Sequence, residues 1–179
     1  MLWPFNHFRK PRLTPPGTIE AIYGMIVTQA REPLFYQELG VPDTVNGRFD
    51  LLLLHLWIVL RRLRQVTGGV ELSQALFDHF CADMDANLRE MGIGDLAVPK
   101  RMQAFGEAFY GRSAAYDLAL TDSGEALARA LGRNILEGRD IESAPRLAAY
   151  AEAAIAHLDA LEDAALLAAS WTFPSPNSV

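Results

Sequence analysis

The sequence predicts an all-α protein, a single bundle-like domain of six or seven helices around a central buried helix at about 48–65. Three observations predict it. From Leu51 to Leu60 every residue except His55 is apolar, with no polar stripe, which is the pattern of a helix enclosed by other helices. The flanking segments place apolar residues at three- and four-residue spacings, the helical period. No segment shows the sustained alternation of a half-buried strand. A chain of 179 residues suffices for one domain with a sizeable core. The expected organisation is an N-terminal arm at 1–17, a helical domain at 18–170 and a C-terminal tail at 171–179.

The elements follow in order. Pro15, Pro16 and Gly17 break the chain, and Thr18 can cap a helix with Ile19, Ile22, Tyr23, Ile26 and Val27 on one face. Pro33 ends or interrupts it. The stretch "PLFYQELG" reads as a short amphipathic turn or helix stopped by Gly40, and "VPDTVNGRFD" as a loop rich in turn formers. The central helix then runs to "TGG". A helix at about 71–91 carries Phe77, Phe80, Met84, Leu88 and Met91 as an apolar stripe, with Gly92 at its C-terminal end. Pro99 opens a helix that carries Met102, Phe105, Phe109, Ser113 and Tyr116. Asp122 and Glu125 have capping-box spacing before "GEALARALGRNIL". A last long helix begins near Pro145 and carries Leu147, Ile155, Leu158 and Leu161.

Composition excludes several classes. The net charge of −6 points away from nucleic acid as a partner. A single cysteine, Cys81, rules out an internal disulfide framework and any cysteine-rich metal centre, and fits a reducing compartment. The central apolar run is about half the ~20 residues a membrane span requires. The opening "MLWPFNHFRKPRLTPPG" lacks the basic-then-apolar order of a signal peptide. Its Trp3, Phe5 and Phe8 beside Arg9, Lys10 and Arg12 suit an anionic membrane surface. The plainer reading of the arm is a frayed terminus or a segment packed on its own domain. The expectation is a cytoplasmic protein, with peripheral contact through residues 1–12 on the cytoplasmic face of the inner membrane as the alternative.

The densest polar cluster is "LFDHFCADMDANLREMGIGDL". On a helical wheel Asp78, Asp85 and Arg89 fall together, opposite the apolar stripe, while His79, Asp83 and Glu90 flank it. A metal reading would join His79 and Asp83 with His55 from the neighbouring helix. It supports an alternative function as a metal-dependent hydrolase or prenyl-diphosphate-binding enzyme using His55, His79, Asp78, Asp83 and Asp85. Against it, the Glu-x-x-His repeats of di-metal bundles are absent, and Asp83 and Asp85 at i, i+2 do not face one another. The plainer reading is a solvated acidic face with an Asp85–Arg89 pair. Cys81 and His79 point apart, and neither a nucleophile elbow nor a phosphate-binding glycine loop is present. His55 reads as a buried core residue whose charged form burial disfavours, with a carboxylate such as Asp50 or Asp78 as candidate partner. No catalytic residue, metal or cofactor is expected. Aromatics, arginine and aspartate in "LGVPDTVNGRFD" and "AFYGRSAAYD" suit a recognition surface.

Three blocks carry a resemblance: "IVTQAREPLFYQELGVPDTVNGRFDLLLLHLWIVLRRL", "LFDHFCADMDANLREMGIGDLAVPKRM" and "EAFYGRSAAYDLAL". In order, spacing and composition they resemble the ubiquinol–cytochrome c chaperone family, from about Ile22 to Ile135. The resemblance implies an all-helical fold and a non-catalytic role in assembling the cytochrome bc1 complex. Mitochondrial members bind newly made cytochrome b, work with a small partner protein and associate with the ribosome near its tunnel exit. The short N-terminal segment, without a long targeting region, suggests a bacterial relative. Residues that match the family's motifs include Gly40, Gly47, Gly94 and Gly111. The candidate client-binding set is Asp43, Arg48, Asp50, Asp78, Asp83, Asp85, Arg89, Asp95, Tyr110, Arg112 and Tyr116. The client is cytochrome b or another bc1 subunit. A nascent membrane protein exposes apolar helices flanked by basic loops. An acidic surface beside a groove lined by Met84, Met91 and Met102 would suit both parts.

Overall fold

Helix α3, Val45–Leu63, is the axis of the molecule, and its start is fixed by two residues. The Thr44 hydroxyl accepts a hydrogen bond from the Gly47 amide at 3.1 Å, capping the first turn. At Gly47 a side-chain carbon would sit 2.0 Å from the Pro42 carbonyl oxygen, so only glycine lets the preceding loop fold back this tightly. Residues Leu51 and Leu53 through Leu60 are all buried. Arg61 and Arg62 occupy the last turn, where positive charge complements the helix dipole. The computed structural model describes residues 17–122, 124–138 and 142–178. The aromatic and basic arm at 1–12 lies outside the described residues.

Around α3 pack α1 (Thr18–Ala30), α4 (Gly69–Glu90), α5 (Val98–Leu120) and α7 (Ala144–Asp159). Helix α6 (Glu125–Asn134) bridges α5 and α7, and two short helices, α2 (Leu34–Gln37) and α8 (Asp163–Leu167), complete the set. Among the described residues there is no strand, and no helix is long and apolar enough to cross a membrane. The all-α bundle expected from the sequence is the observed fold. Arg62 locks its lower end: the guanidinium donates to the Leu158 and Leu161 carbonyls at 3.0 Å each and to Asp163 at 2.7 Å. The bond to Leu158 satisfies a carbonyl that α7 leaves open in its last turn, and the other two tie the following loop and the start of α8 to α3.

Four expectations need correction. Gly17 is the N-cap of α1, in a left-handed conformation, so Thr18 is the first helical residue and not the cap. On α4, Phe80 and Leu88 are buried and Phe77 and Met84 half-buried, but Met91 is 67% exposed. Past Met84, which still packs on the core, α4 and the start of α5 form a largely exposed hairpin, where among residues 85–108 only Leu88 and Val98 are buried. Helix α6 starts at Glu125 with Gly124 at its N-cap, so Asp122 does not hold that position. The first residues of the expected tail at 171–179 pack on the core. Trp171 and Phe173 are buried, their rings in edge contact, and the Pro174 carbonyl accepts a hydrogen bond from Gln29 at 3.0 Å. Two large aromatic surfaces outweigh the cost of ordering this segment.

Candidate functional site

The candidate residues are distributed over four places, all positioned by α3 or by the α4–α5 hairpin. The first is the environment of His55, which is entirely buried. Its Nδ1 lies 2.8 Å from the Leu51 carbonyl, which can only accept, so the ring proton sits on Nδ1. Its Nε2 therefore accepts from the Tyr150 hydroxyl at 2.8 Å, and that oxygen accepts from the Gln29 amide at 2.9 Å. The rings of Phe35 and Phe173 close the site edge-on. Burial pushes the imidazole down to about 4, the Leu51 bond opposing, so it is neutral at physiological pH. The expected carboxylate partners, Asp50 and Asp78, are not used. Tyr150 and Gln29 come from helices remote in sequence, so no local pattern pointed to them.

The second is a polar cleft of about 470 Å³ between the start of α3, the middle of α5 and the end of α6. On its floor Asp50, 5% exposed, accepts from the Arg112 Nη2 at 2.6 Å. Burial pushes the Asp50 carboxyl up to about 6 against the pull of Arg112, and Glu137 adds to the rise. Phe49 and Phe105, ring centroids 4.6 Å apart, form an apolar wall. Asn46, Arg133, Asn134 and Glu137 complete the lining. None of these four, nor either phenylalanine, belongs to the set chosen from sequence as client-binding. Tyr116 belongs to that set but is completely buried behind the cleft, so it is not a surface contact. Glu137 holds a left-handed backbone conformation, φ 52°, which costs a non-glycine residue energy.

The third is the acidic side of the hairpin. Arg89 is held in a fork by Asp85, at 2.6 Å, and by Asp95. Asp83 accepts from the Tyr23 hydroxyl at 2.7 Å and from Asn87 at 3.1 Å, which anchors α4 to α1. Burial and the Asp83 carboxylate push the Tyr23 phenol well above its ordinary value. Asp78 is exposed and accepts from Gln74 at 2.8 Å. His79 meets the Tyr23 ring edge-on instead of facing Asp83. Among the described residues no three His, Cys, Asp or Glu side chains group as metal ligands, so the cluster behind the enzyme alternative does not assemble. Tyr110, 55% exposed, meets the Phe77 ring at a tilt and the Phe109 ring edge-on, and Leu96 at the tip is 99% exposed.

The fourth lies just before α3. Arg48 pairs with Asp43 at 2.6 Å, in the open, and sits over the Tyr36 ring at 5.0 Å.

Comparison with known proteins identifies this arrangement. A family model described as ubiquinol-cytochrome C chaperone matches residues 37–173, well over half of the chain. The chain belongs to the ubiquinol–cytochrome c chaperone family. The match spans every residue of the client-binding set chosen from sequence. Within the family, the ubiquinol-cytochrome-c reductase complex assembly factor 1 of Xenopus laevis is 28% identical over 136 residues, 74% of this chain and 68% of the frog protein. Mitochondrial protein CBP3 of Saccharomyces cerevisiae is 29% identical over 109 residues, 59% of this chain and 32% of the yeast protein. The chain spans less than half, 46%, of the mouse and human assembly factors. The crystal structure of the Cbp3 homolog from Brucella abortus superposes with a TM-score of 0.83 at 37% identity, covering 91% of this chain and 92% of that one.

Proposed function

We propose that this member of the chaperone family is a non-catalytic assembly factor for ubiquinol–cytochrome c reductase, with cytochrome b as its client. The family match over residues 37–173 carries the reading, because it includes the whole of α3 and the entire α4–α5 hairpin. The proposed client surface is the hairpin together with the start of α3: Asp78, Asp83, Asp85, Arg89, Asp95 and Tyr110, with Asp43 and Arg48 beside them. Its chemistry suits a nascent membrane protein. Exposed Leu96, Met91 and Tyr110 offer apolar contact, and the flanking carboxylates attract basic loops. Asp50, Arg112 and Tyr116 are withdrawn from this surface into or behind the cleft.

The test is affinity capture from solubilised membranes of the native host, with chemical crosslinking and mass spectrometry. Recovery of cytochrome b crosslinked within residues 78–110 supports the proposal. Capture without any bc1 subunit overturns it. A companion variant carries Asp78→Lys and Asp85→Lys. It spares Asp83, whose bond to Tyr23 holds α1 against α4. It is expected to fold normally and to recover much less client.

A further inference from the structure

We infer that the turn of the α4–α5 hairpin, residues 91–101, is a membrane-contact site for a bilayer surface that carries anionic lipid. Two large apolar side chains stand in water there: Leu96 is 99% exposed and Met91 67%. Fraying does not explain them, because the turn is closed by its own backbone. The Gly92 amide donates to the Arg89 carbonyl at 2.9 Å, the Ile93 amide to Leu88 at 3.0 Å and the Ala97 amide to Gly94 at 2.8 Å. The first two form a glycine cap on α4, with Gly92 in the left-handed conformation, φ 79°. A defined turn therefore holds Leu96 outward. Just behind it stand Lys100 and Arg101, exposed and with no hydrogen bond or ion pair among the described residues. They occupy the first turn of α5, where positive charge opposes the helix dipole and no acidic residue offsets it. The other two bases of the hairpin are occupied, Arg89 by Asp85 and Asp95, and Arg112 by Asp50. With Asp95 neutralised by Arg89, the turn sets Glu90 against two free cations, in a chain of net charge −6.

Apolar side chains in the open, backed by unpaired bases, fit a lipid surface better than a protein partner. Proteins grip one another through pockets, and the side chains that dominate such contacts sit in enclosed, well-packed places. A leucine that is 99% exposed has no neighbours with which to form a pocket. A bilayer needs no matching shape. It takes apolar side chains about 5–10 Å into the boundary between headgroups and acyl chains, and its anionic headgroups attract nearby bases. Arg101 lies only about 4.5 Å of helix rise beyond Val98, so both bases stay within headgroup reach when Leu96 is immersed. Farther along the hairpin, Asp78 and Glu107 are repelled by an anionic surface, so the molecule meets it turn first. Tyr110 and the carboxylates of the proposed client surface then remain outside the bilayer. Met91 and Leu96 are shared with that surface, and vesicles free of protein separate the two uses.

The test floats the full chain with vesicles of phosphatidylcholine, with and without phosphatidylglycerol. The expected result is binding to the anionic vesicles that weakens as salt rises. Met91→Gln with Leu96→Gln should lower the partition coefficient about tenfold or more. Lys100→Gln with Arg101→Gln should lower it by about the same factor. All four side chains are exposed, so the unfolding midpoints should stay unchanged. A fluorophore sensitive to polarity, placed by Ala97→Cys in a Cys81→Ala background, should shift to the blue on anionic vesicles. The same label placed by Glu152→Cys, on the exposed side of α7, should not. The inference is overturned if the protein does not bind, if the label at position 97 stays in water, or if either double variant leaves binding unaltered. In that last case the contact passes to residues 1–12 or another surface. Client capture is read in detergent, so its success or failure bears on the chaperone reading alone.

Discussion

Asp50 and His55 sit on the same helix, both withdrawn from solvent, yet their surroundings follow opposite rules. Around His55 every donor and acceptor is matched: Leu51, Tyr150 and Gln29 form a closed chain, walled by aromatic rings. Around Asp50 one ion pair is made and several donors are left over. A lone histidine among leucines invites a catalytic reading, but complete pairing marks it as a structural residue. The unremarkable Asp50, two residues after an arginine, proves to stand in the less satisfied site. Pairing, and not residue type, tells the structural residue apart.

That contrast can be broken by mutation. Arg112→Ala should have the largest effect at neutral pH, because it leaves Asp50 buried without a partner, at a cost of about 3 kcal/mol or more. Urea denaturation at pH 7 and pH 5 checks it. The loss should shrink at pH 5, where Asp50, at about 6, is largely neutral in the folded protein. An equal loss at both values would mean that Arg112 acts by packing alone.

The two groups also titrate in opposite senses. His55 is held at about 4, below its ordinary value, so folding favours the neutral ring. Its contribution is complete above about pH 6.5 and is lost as pH falls towards 4, by up to about 3 kcal/mol. Asp50 is held at about 6, above its ordinary value, so its effect has the reverse sign. Stability is gained as pH falls through 6 and lost as pH rises through it. Together they flatten the profile of the native protein between pH 4 and 6. Asp50→Asn removes one side of the balance, and its unfolding midpoint should fall steeply on acidification. A flat profile in that variant would disprove the buried neutral histidine.

Smaller effects sharpen the comparison. Tyr150→Phe removes the donor to His55 and the acceptor for Gln29, and should cost about 1–3 kcal/mol by chemical denaturation. In the native protein, nitrogen NMR should find the His55 proton on Nδ1. At the far end of the scale, Arg89→Ala breaks pairs with Asp85 and Asp95 that lie in solvent, and the unfolding midpoint should not move.

Much of the fold was legible in the chain because it is encoded locally. An apolar run with no polar side declared α3, and wheel arithmetic placed Asp78, Asp85 and Arg89 away from the buried stripe. Met91 was misjudged because periodicity describes a helix face but not where the bundle stops covering it. Trp171 and Phe173 were missed because a short segment without period carries no helical signal, although two aromatics so close together are seldom left in water. The cleft was invisible for a different reason. Its walls come from residues near 46–50, 105–112 and 133–137, each ordinary in its own stretch, and only the packing of α6 against α5 assembles them.

Helical bundles usually close through contacts between near neighbours in sequence, and fold quickly for that reason. The His55 centre departs from this habit. Gln29 reaches Tyr150 across 121 positions and Pro174 across 145, so three remote stretches must arrive before the histidine is sealed. The last stitch in the bundle is therefore tied by residues 171–174. A stop codon or a protease cut just ahead of Trp171 would leave the helices assembled around an open seam, with water reaching the imidazole at the centre.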